Sequence, residues 1–572
     1  MSTSDILQTI VSCIFFMGLV AWISYQKTKG QTQSKDGYFL AGRSLSGIFI
    51  AGSLLLTNLS AEQLVGLNGS AYGFNMTSMA WEITAGLAIV IMALILLPKY
   101  LKGAFTTLPE FLNVRFDDDV RRLSVLLFML GYGLITIPSV LYSGSIAVLR
   151  LFDVPSLLNV NYSTALVITI LFIGTIGSFY AIFGGLKAVA VSDTINGIGL
   201  LIIGLLIPVL GLIALGEGNM ISGIDFLLSK ETEKLNAIGT ADDPIPFGTI
   251  FTGMILANLF YWGTNQYVIQ RTLGAKNLKE GQKGVILSGY YKLLVPFMMM
   301  LPGIIAFHLY GESLQPIDLA YPTLVRNLLP VYLSGFFLAV LLGAVFSSFN
   351  SLLNSAATMF VLDVYEPLSK QPLSELKLIK VAKIASIVIA IFSFVASPLL
   401  QFAPKGLWEI IRIFTGFYNI PIIAIVLTGL FIKRVPALGA KIAIVFHVIA
   451  YAAFRFIFDI DIHYVHVYAI LFLLDTAIML LIGYFKPNQK KWEFQKSDES
   501  VDMQPWKYAY PASILLLTLI VILYVTFSPI GLVNGIETNY WIIISALLLV
   551  ASIASWLIYK KQNNGNSKHY SS

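Results

Sequence analysis

Seven ionisable residues stand inside apolar stretches long enough to cross a bilayer: Glu62, Glu82, Asp193, Lys292, Glu409, Arg412 and Asp475. Burying each costs about 2.5–3.5 kcal/mol on insertion scales, so such groups mark pathways, relays or paired charges. Glu82, in Trp81-Glu82-Ile83-Thr84, and Lys292, in Tyr290-Tyr291-Lys292-Leu293, can pair with each other across helices; Lys292 can equally donate to a solute hydroxyl. Asp193 opens Val191-Ser192-Asp193-Thr194 and fits either a helix N-cap or an ion-exit acid. Glu409 and Arg412 lie one helical turn apart and can neutralise each other. Asp475 sits in a late span and reads as structural. Ser347 and Ser348 put adjacent hydroxyls in the middle of a long span. They serve a hard cation, which takes oxygen ligands, or close packing of small residues. His463 and His466 share a helix face without further metal ligands.

These groups need helices that stop inside the membrane. The stretch Ser53-Leu54-Leu55-Leu56-Thr57-Asn58-Leu59-Ser60-Ala61-Glu62-Gln63 lies in an apolar span, yet its middle is polar. Non-helical backbone at that depth is tolerated only where protein or a water-filled cavity surrounds it. There it frees carbonyl oxygens for a cation and aims helix dipoles at a solute. Ile255-Leu256-Ala257-Asn258-Leu259-Phe260-Tyr261-Trp262-Gly263-Thr264-Asn265-Gln266, five spans later, has the same polar, aromatic, Gly-containing middle. Two interrupted spans offset by five indicate a five-plus-five inverted repeat.

Composition agrees. The chain has 572 residues, 57% hydrophobic and 12% charged, with a mean hydropathy of +0.79. Soluble domains carry about twice that charge. The expectation is an all-α polytopic membrane protein with about fifteen spans. A first span and cytoplasmic loop (1–44) precede repeat 1 (45–215) and repeat 2 (246–432). Flanking helices (437–485), a cytoplasmic linker (486–507) and C-terminal helices with a tail (508–572) follow; the last two spans read as peripheral. Lys and Arg concentrate in alternate loops, which sets the N-terminus outside and the C-terminus in the cytoplasm. Lys187, Arg115, Arg271 and Lys276 are among these cytoplasmic loop cations. The loop 217–245, with Glu231, Glu233, Asp242 and Asp243, is expected to cap the outer mouth. The single cysteine, Cys13, excludes a disulfide framework. The net charge of +6 does not imply nucleic acid. No P-loop and no catalytic set is present, which points away from an ATP-driven pump and from an enzyme.

Tyr38-Phe39-Leu40-Ala41-Gly42-Arg43, Asn58-Leu59-Ser60-Ala61-Glu62-Gln63, Ala257 to Gln266, and Gln270-Arg271-Thr272-Leu273 resemble the sodium:solute symporter family, most closely its sodium/glucose and sodium/galactose branch. The resemblance runs over about residues 1–485 and implies a LeuT-like fold. It implies sodium ligands at the carbonyls of Leu56, Leu59 and Ala344 and the hydroxyls of Ser347 and Ser348. It places the sugar against Asn58, Gln63, Glu82, Asn258 and Lys292, with Tyr261 stacking on the ring and Asp193 linked to sodium release. Amides, a carboxylate and an amine suit a polyol because they hold hydroxyls as donors or acceptors. Trp81 and Ala85 depart from the galactose-type residues, Tyr and Ser. Arg412 stands where the family has a sugar-binding amide, so an anionic sugar (a uronate, or a sulfated or acylated derivative) is the alternative to a neutral hexose. The implied activity is sodium-driven import of a monosaccharide across a plasma membrane, the bacterial inner membrane, by alternating access. Rival readings are a symporter for an amino acid, inositol or a vitamin, a uniporter or channel, and a membrane sensor.

Overall fold

The computed structural model describes residues 3–29, 34–103, 105–314, 317–369, 373–402, 407–458, 462–488 and 501–569; the side chains of Glu62, Glu409 and Arg412 lie outside the described residues. The described chain is helical, with one isolated β-bridge between Leu45 and Ala275. Among the described residues, eleven helices are long and apolar enough to cross a membrane, and two bent helix pairs make further spans. Of the fifteen expected spans, 164–183 falls on a shorter apolar helix, Tyr162–Ser178. The expected span 246–270 is divided between two short helices.

The elements that matter for the site are α1 (Thr3–Thr28), α2 (Gly47–Asn58), α3 (Ala61–Gly73) and α4 (Met79–Ile91). They are followed by α5 (Leu186–Leu215), the later part of a helical run that begins at Tyr162. Next come α6 (Gly253–Gly263), α7 (Gln266–Leu273), α8 (Leu278–Lys292), α9 (Val331–Met359) and α10 (Leu407–Phe431). The chain continues with α11 (Ala437–Phe456), α12 (Tyr464–Phe485), α13 (Ala509–Thr526) and α14 (Thr538–His569).

Both expected interruptions are present. α2 ends at Asn58, and Ser60 restarts the chain as the N-cap of α3, its hydroxyl accepting from Gln63 N at 3.4 Å. The two halves meet at 55°. α6 ends at Gly263 and α7 starts at Gln266; the amides of Thr264 and Asn265 both turn back to the Phe260 carbonyl. A third break was not evident in the sequence. α8 stops at Lys292, and the pair Leu278–Lys292 and Val295–Tyr310 bends by 47°. Pro296 contributes to it, since it has no N–H to continue the ladder.

α2 is the packing centre, held between α5, α8 and α9. Small residues permit the close approach, as expected where lipid offers no hydrophobic drive between helices. A Cβ at Gly52 would lie 2.7–2.9 Å from Thr194 on α5. The start of α2 is secured from α8: Glu280 Oε2 accepts the Gly47 amide at 2.8 Å. The last helices divide in role. α14 packs on α13 and is otherwise largely exposed. α13 lies at the edge of the bundle, where both final spans are expected, and packs on it through one face. Its Leu516 and Ile520 fill the space above Gly289 of α8 and Gly86 of α4, and Tyr290 Oη donates to the Ala512 carbonyl at 2.8 Å. The 217–245 loop folds back onto the bundle: Lys234 donates to Tyr72 O, Ala237 to Phe527 O, and Asp243 accepts from Asn75.

Candidate functional site

The break between α2 and α3 leaves backbone oxygens without their usual partners. In a continuous helix the Ser60 and Gln63 amides would bond the carbonyls of Leu56 and Leu59. Here Ser60 N bonds Asn58 O, and Gln63 N bonds Ser60 Oγ. Across from the break, Ser348 of α9 donates to the Thr57 carbonyl at 3.3 Å, and Ser351 approaches Thr57 Oγ1 at 3.5 Å. Ser347 Oγ is buried and makes no hydrogen bond of ordinary length. Freed carbonyls, one buried uncommitted hydroxyl and a second hydroxyl facing the break form an oxygen-only donor set, the chemistry a hard monovalent cation requires.

Beneath this set lies a buried ion network. Asp193 stands well inside α5, so it is not an N-cap. Its Oδ2 accepts from Ser53 Oγ at 2.6 Å and lies 3.7 Å from Arg271 Nη2. Arg271 is fully buried, a correction to its reading as a loop cation. Its Nε donates to Ser53 Oγ at 2.6 Å, and its two terminal nitrogens donate to Tyr267 O and to Ser351 Oγ. Four elements, α2, α5, α7 and α9, are thereby joined through one guanidinium. Arg115, also assigned to a loop, is buried too and donates to the carbonyls of Gly429, Ile432 and Val435 at the end of α10.

Beside the break is a cavity of about 110 Å³. It is lined from α2 and α3 by Asn58, Ser60 and Gln63, from α4 by Trp81 and Glu82, from α6 by Asn258 and Tyr261, from α8 by Lys292, and from α10 by Thr415 and Asn419. Ser348 borders it, so the cavity adjoins the oxygen set. Lys292 and Glu82 form a buried salt bridge, the first of the two roles open to that lysine. Gln63 Nε2 donates to the other Glu82 oxygen at 3.3 Å, which turns Gln63 Oε1 free and buried toward the cavity. Asn258 Nδ2 donates to Trp81 O at 3.2 Å and Thr84 Oγ1 at 2.8 Å. Tyr261 packs edge-on against Trp262 and Tyr267, with ring centroids 5.5 and 5.8 Å apart. Lys292 Nζ also lies 5.8 Å from the Trp262 ring centroid. Among the described residues the charges lining the cavity, Glu82 and Lys292, cancel.

The structure therefore gathers Asn58, Gln63, Glu82, Asn258, Tyr261 and Lys292 around one space, and Leu56, Leu59, Ser347 and Ser348 at the adjoining break; Ala344 lies on α9 one turn from Ser347 and Ser348. Arg412 and Glu409 lie outside the described side chains. Asp475 is buried away from the cavity and bonds His447 Nδ1 at 2.7 Å, whose Nε2 faces the Gly416 carbonyl of α10 at 3.1 Å. His463 and His466 bond Pro244 O and Thr252. Thr415, Asn419 and Arg271 were not singled out as site residues from the sequence; a mid-span Asn or Thr gives a weak sequence signal, and Arg271 abuts a loop.

The model of the sodium:solute symporter family matches residues 38–446. The chain belongs to the sodium:solute symporter family. Among its relatives is the uncharacterized symporter YidK of Escherichia coli K12, 43% identical over 551 residues, 96% of this chain and 95% of that one. The sodium/glucose cotransporter of Vibrio parahaemolyticus is 30% identical over 467 residues, 78% of this chain and 84% of that one. Among solved structures, the outward-open state of a Na⁺-coupled sialic acid symporter superimposes with a TM-score of 0.73 at 22% identity, covering 84% of this chain and 99% of that one. Together these establish the LeuT-like fold and an integral membrane symporter whose coupling ion is sodium and whose cargo is a small solute.

Proposed function

We propose that the symporter imports a neutral, hexose-like monosaccharide with sodium by alternating access. The observation that carries this reading is the chain Lys292–Glu82–Gln63, which fixes donors and acceptors around the cavity and pairs off the two charges that line it among the described residues. A hydroxyl both donates and accepts, so a polyol meets Gln63 Oε1, the Asn58 amide and the remaining Lys292 protons at once. Sodium is held by the carbonyls of Leu56, Leu59 and Ala344 with the hydroxyls of Ser347 and Ser348, and the buried uncommitted Ser347 Oγ supports that assignment. Because Ser348 also borders the solute cavity, sodium binding orders the break that presents Asn58 and Gln63. Tyr261 covers the solute from the α6 side, and Asp193 receives the ion on its way out. The sodium/glucose activity of the Vibrio relative supports the same class. The anionic-sugar alternative rests on Arg412 alone, and the paired Glu82 and Lys292 weigh against it.

The energetics suffice. One sodium crossing 100 mV contributes about 2.3 kcal/mol, which sustains roughly fiftyfold accumulation before the ion gradient adds to it. We place the protein in a bacterial inner membrane with its N-terminus outside, which the loop distribution of Lys and Arg supports. The test is uptake of labelled glucose, galactose and glucuronate into proteoliposomes under an inward sodium gradient, with Ser348→Ala in parallel. Glucose or galactose uptake that follows sodium and collapses in Ser348→Ala is the expected result. Uptake of glucuronate alone would replace the neutral reading by the anionic one. Movement of no sugar, with thermal stabilisation by sodium retained, would leave the ion site standing and remove the sugar.

A further inference from the structure

The polar groups lining the cavity differ in how far the protein has already used them. Gln63 and Asn258 each commit an amide nitrogen, to Glu82 and to Trp81 with Thr84. Asn265 accepts from Tyr132 Oη. Asn58 at the break and Asn419 on α10 each keep a buried Oδ1 without a partner, and Asn419 stands apart by its place on a different wall. It is 8% exposed, lines the cavity, and its Oδ1 is buried without a partner. Among the described residues, neither end of its amide bonds to the protein. α10 contributes nothing to the Lys292–Glu82–Gln63 chain, so Asn419 reaches the cavity from a separate wall.

Its position is not loose. The neighbouring Tyr418 is wedged among Phe128, Tyr132 and Phe260, with centroids 6.1, 6.4 and 5.6 Å away, and its hydroxyl lies 3.4 Å from Thr136 Oγ1. On the other side of Tyr418, a Cβ at Gly416 would lie 2.4 Å from Tyr451 Oη. These contacts fix the rotation of α10 and hence the wall on which Asn419 stands. A buried amide left unbonded costs its full desolvation, about 1–3 kcal/mol, unless something in the cavity bonds it. Which end of the amide is oxygen is immaterial here, because both ends are uncommitted.

We propose that Asn419 is a specificity-determining residue that takes one hydroxyl of the solute from the α10 wall. The proposal rests on the sugar reading and deepens it. A hydroxyl donates to Oδ1 or accepts from Nδ2, so it satisfies the amide in either orientation. A carboxylate serves only the nitrogen end and an ammonium only the oxygen end. The recognised class is therefore a polyol with hydroxyls on two sides of the ring, one side for Gln63 and the other for Asn419.

The experiment is sodium-driven uptake of glucose and of the monodeoxyglucose series by the wild type, Asn419→Leu and Asn419→Ser in proteoliposomes. Thermal stabilisation by sodium serves as the control for folding. In Asn419→Leu the half-saturating glucose concentration is expected to rise about five- to thirtyfold, the loss typical of one buried neutral hydrogen bond. Asn419→Ser, which keeps a hydroxyl, loses less, and sodium stabilisation is unchanged in both. One monodeoxyglucose that the wild type rejects is expected to be carried by Asn419→Leu as well as glucose is, because the hydroxyl it lacks no longer has a partner. Unchanged half-saturation and an unchanged ranking of the deoxy sugars in Asn419→Leu would overturn the proposal while leaving the sugar reading intact. If that variant shows no sodium stabilisation, Asn419→Ser decides on the same two readouts. A wild type that moves no sugar overturns the sugar reading and this proposal with it.

Discussion

Arg271→Met is expected to destabilise the symporter severely, and Asp193→Asn on top of it to return much of the loss. The guanidinium makes hydrogen bonds to Ser53 Oγ, Tyr267 O and Ser351 Oγ and lies 3.7 Å from Asp193. A methionine fills much of the volume and supplies none of the donors. Asp193, 1% exposed, is then a buried carboxylate left with neighbouring hydroxyls, Ser53 Oγ at 2.6 Å the nearest, and no cation. Removing one partner of such a pair costs about 3–5 kcal/mol, whereas removing both charges is often close to neutral. The single variant should therefore lose about two to three and a half powers of ten in its folding equilibrium. The double variant should be more stable than the sum of the singles by about 2–3 kcal/mol, the upper range for residues in one network. Unfolding in detergent micelles, followed by tryptophan fluorescence, measures all four corners of the cycle. Additivity within about 0.5 kcal/mol would refute the reasoning, because it is what independent sites give. Stability restored in the double variant need not restore uptake, since Asp193 is also the assigned ion-exit acid.

Three other substitutions test separate parts of the site. Ser347→Ala removes a buried hydroxyl that makes no hydrogen bond of ordinary length; stability without sodium should change little, while stabilisation by sodium falls, read as the shift in melting temperature across a sodium titration. Lys292→Met strands Glu82 in the cavity and should abolish uptake and cost about 3–5 kcal/mol, whereas Glu82→Gln with Lys292→Met should recover stability but not uptake, in the same micelle unfolding and proteoliposome assays. Gly52→Val places side-chain atoms where Thr194 already lies within 2.7–2.9 Å, so α2 must shift from α5. About 1–3 kcal/mol of stability and a measurable part of sodium affinity should be lost together, whereas unchanged sodium affinity would separate α2 packing from the ion site.

Composition and local polar runs are enough to set the class of protein and two of its three helix breaks. Length and hydropathy require many spans, and a polar run such as Thr57-Asn58-Leu59-Ser60 cannot stay helical cheaply when Ser60 competes for the Gln63 amide. Both breaks were legible because they are encoded in residues next to one another along the chain. The third, after Lys292, was not, because Leu293 and Leu294 are as apolar as the spans around them.

Partnerships were decided only by the tertiary structure. Glu82 and Lys292 are 210 residues apart; the sequence offers the pair as one of two roles for the lysine, and only the fold chooses it over a solute hydroxyl. Arg271 follows a polar stretch that reads as a membrane edge, and only the packing of α7 between α2 and α9 takes it out of water. The same holds for Asp193, whose local sequence fits an N-cap equally well until α5 is seen to run through it. α13 reads as an appendage by its position after a polar linker, yet it braces the Glu82 and Lys292 helices, because Gly86 and Gly289 leave grooves that Ile520 and Leu516 fill. Periodicity and local competition for hydrogen bonds are properties of neighbouring residues. Charge pairing and close packing depend on distances that the chain sets only once it has folded.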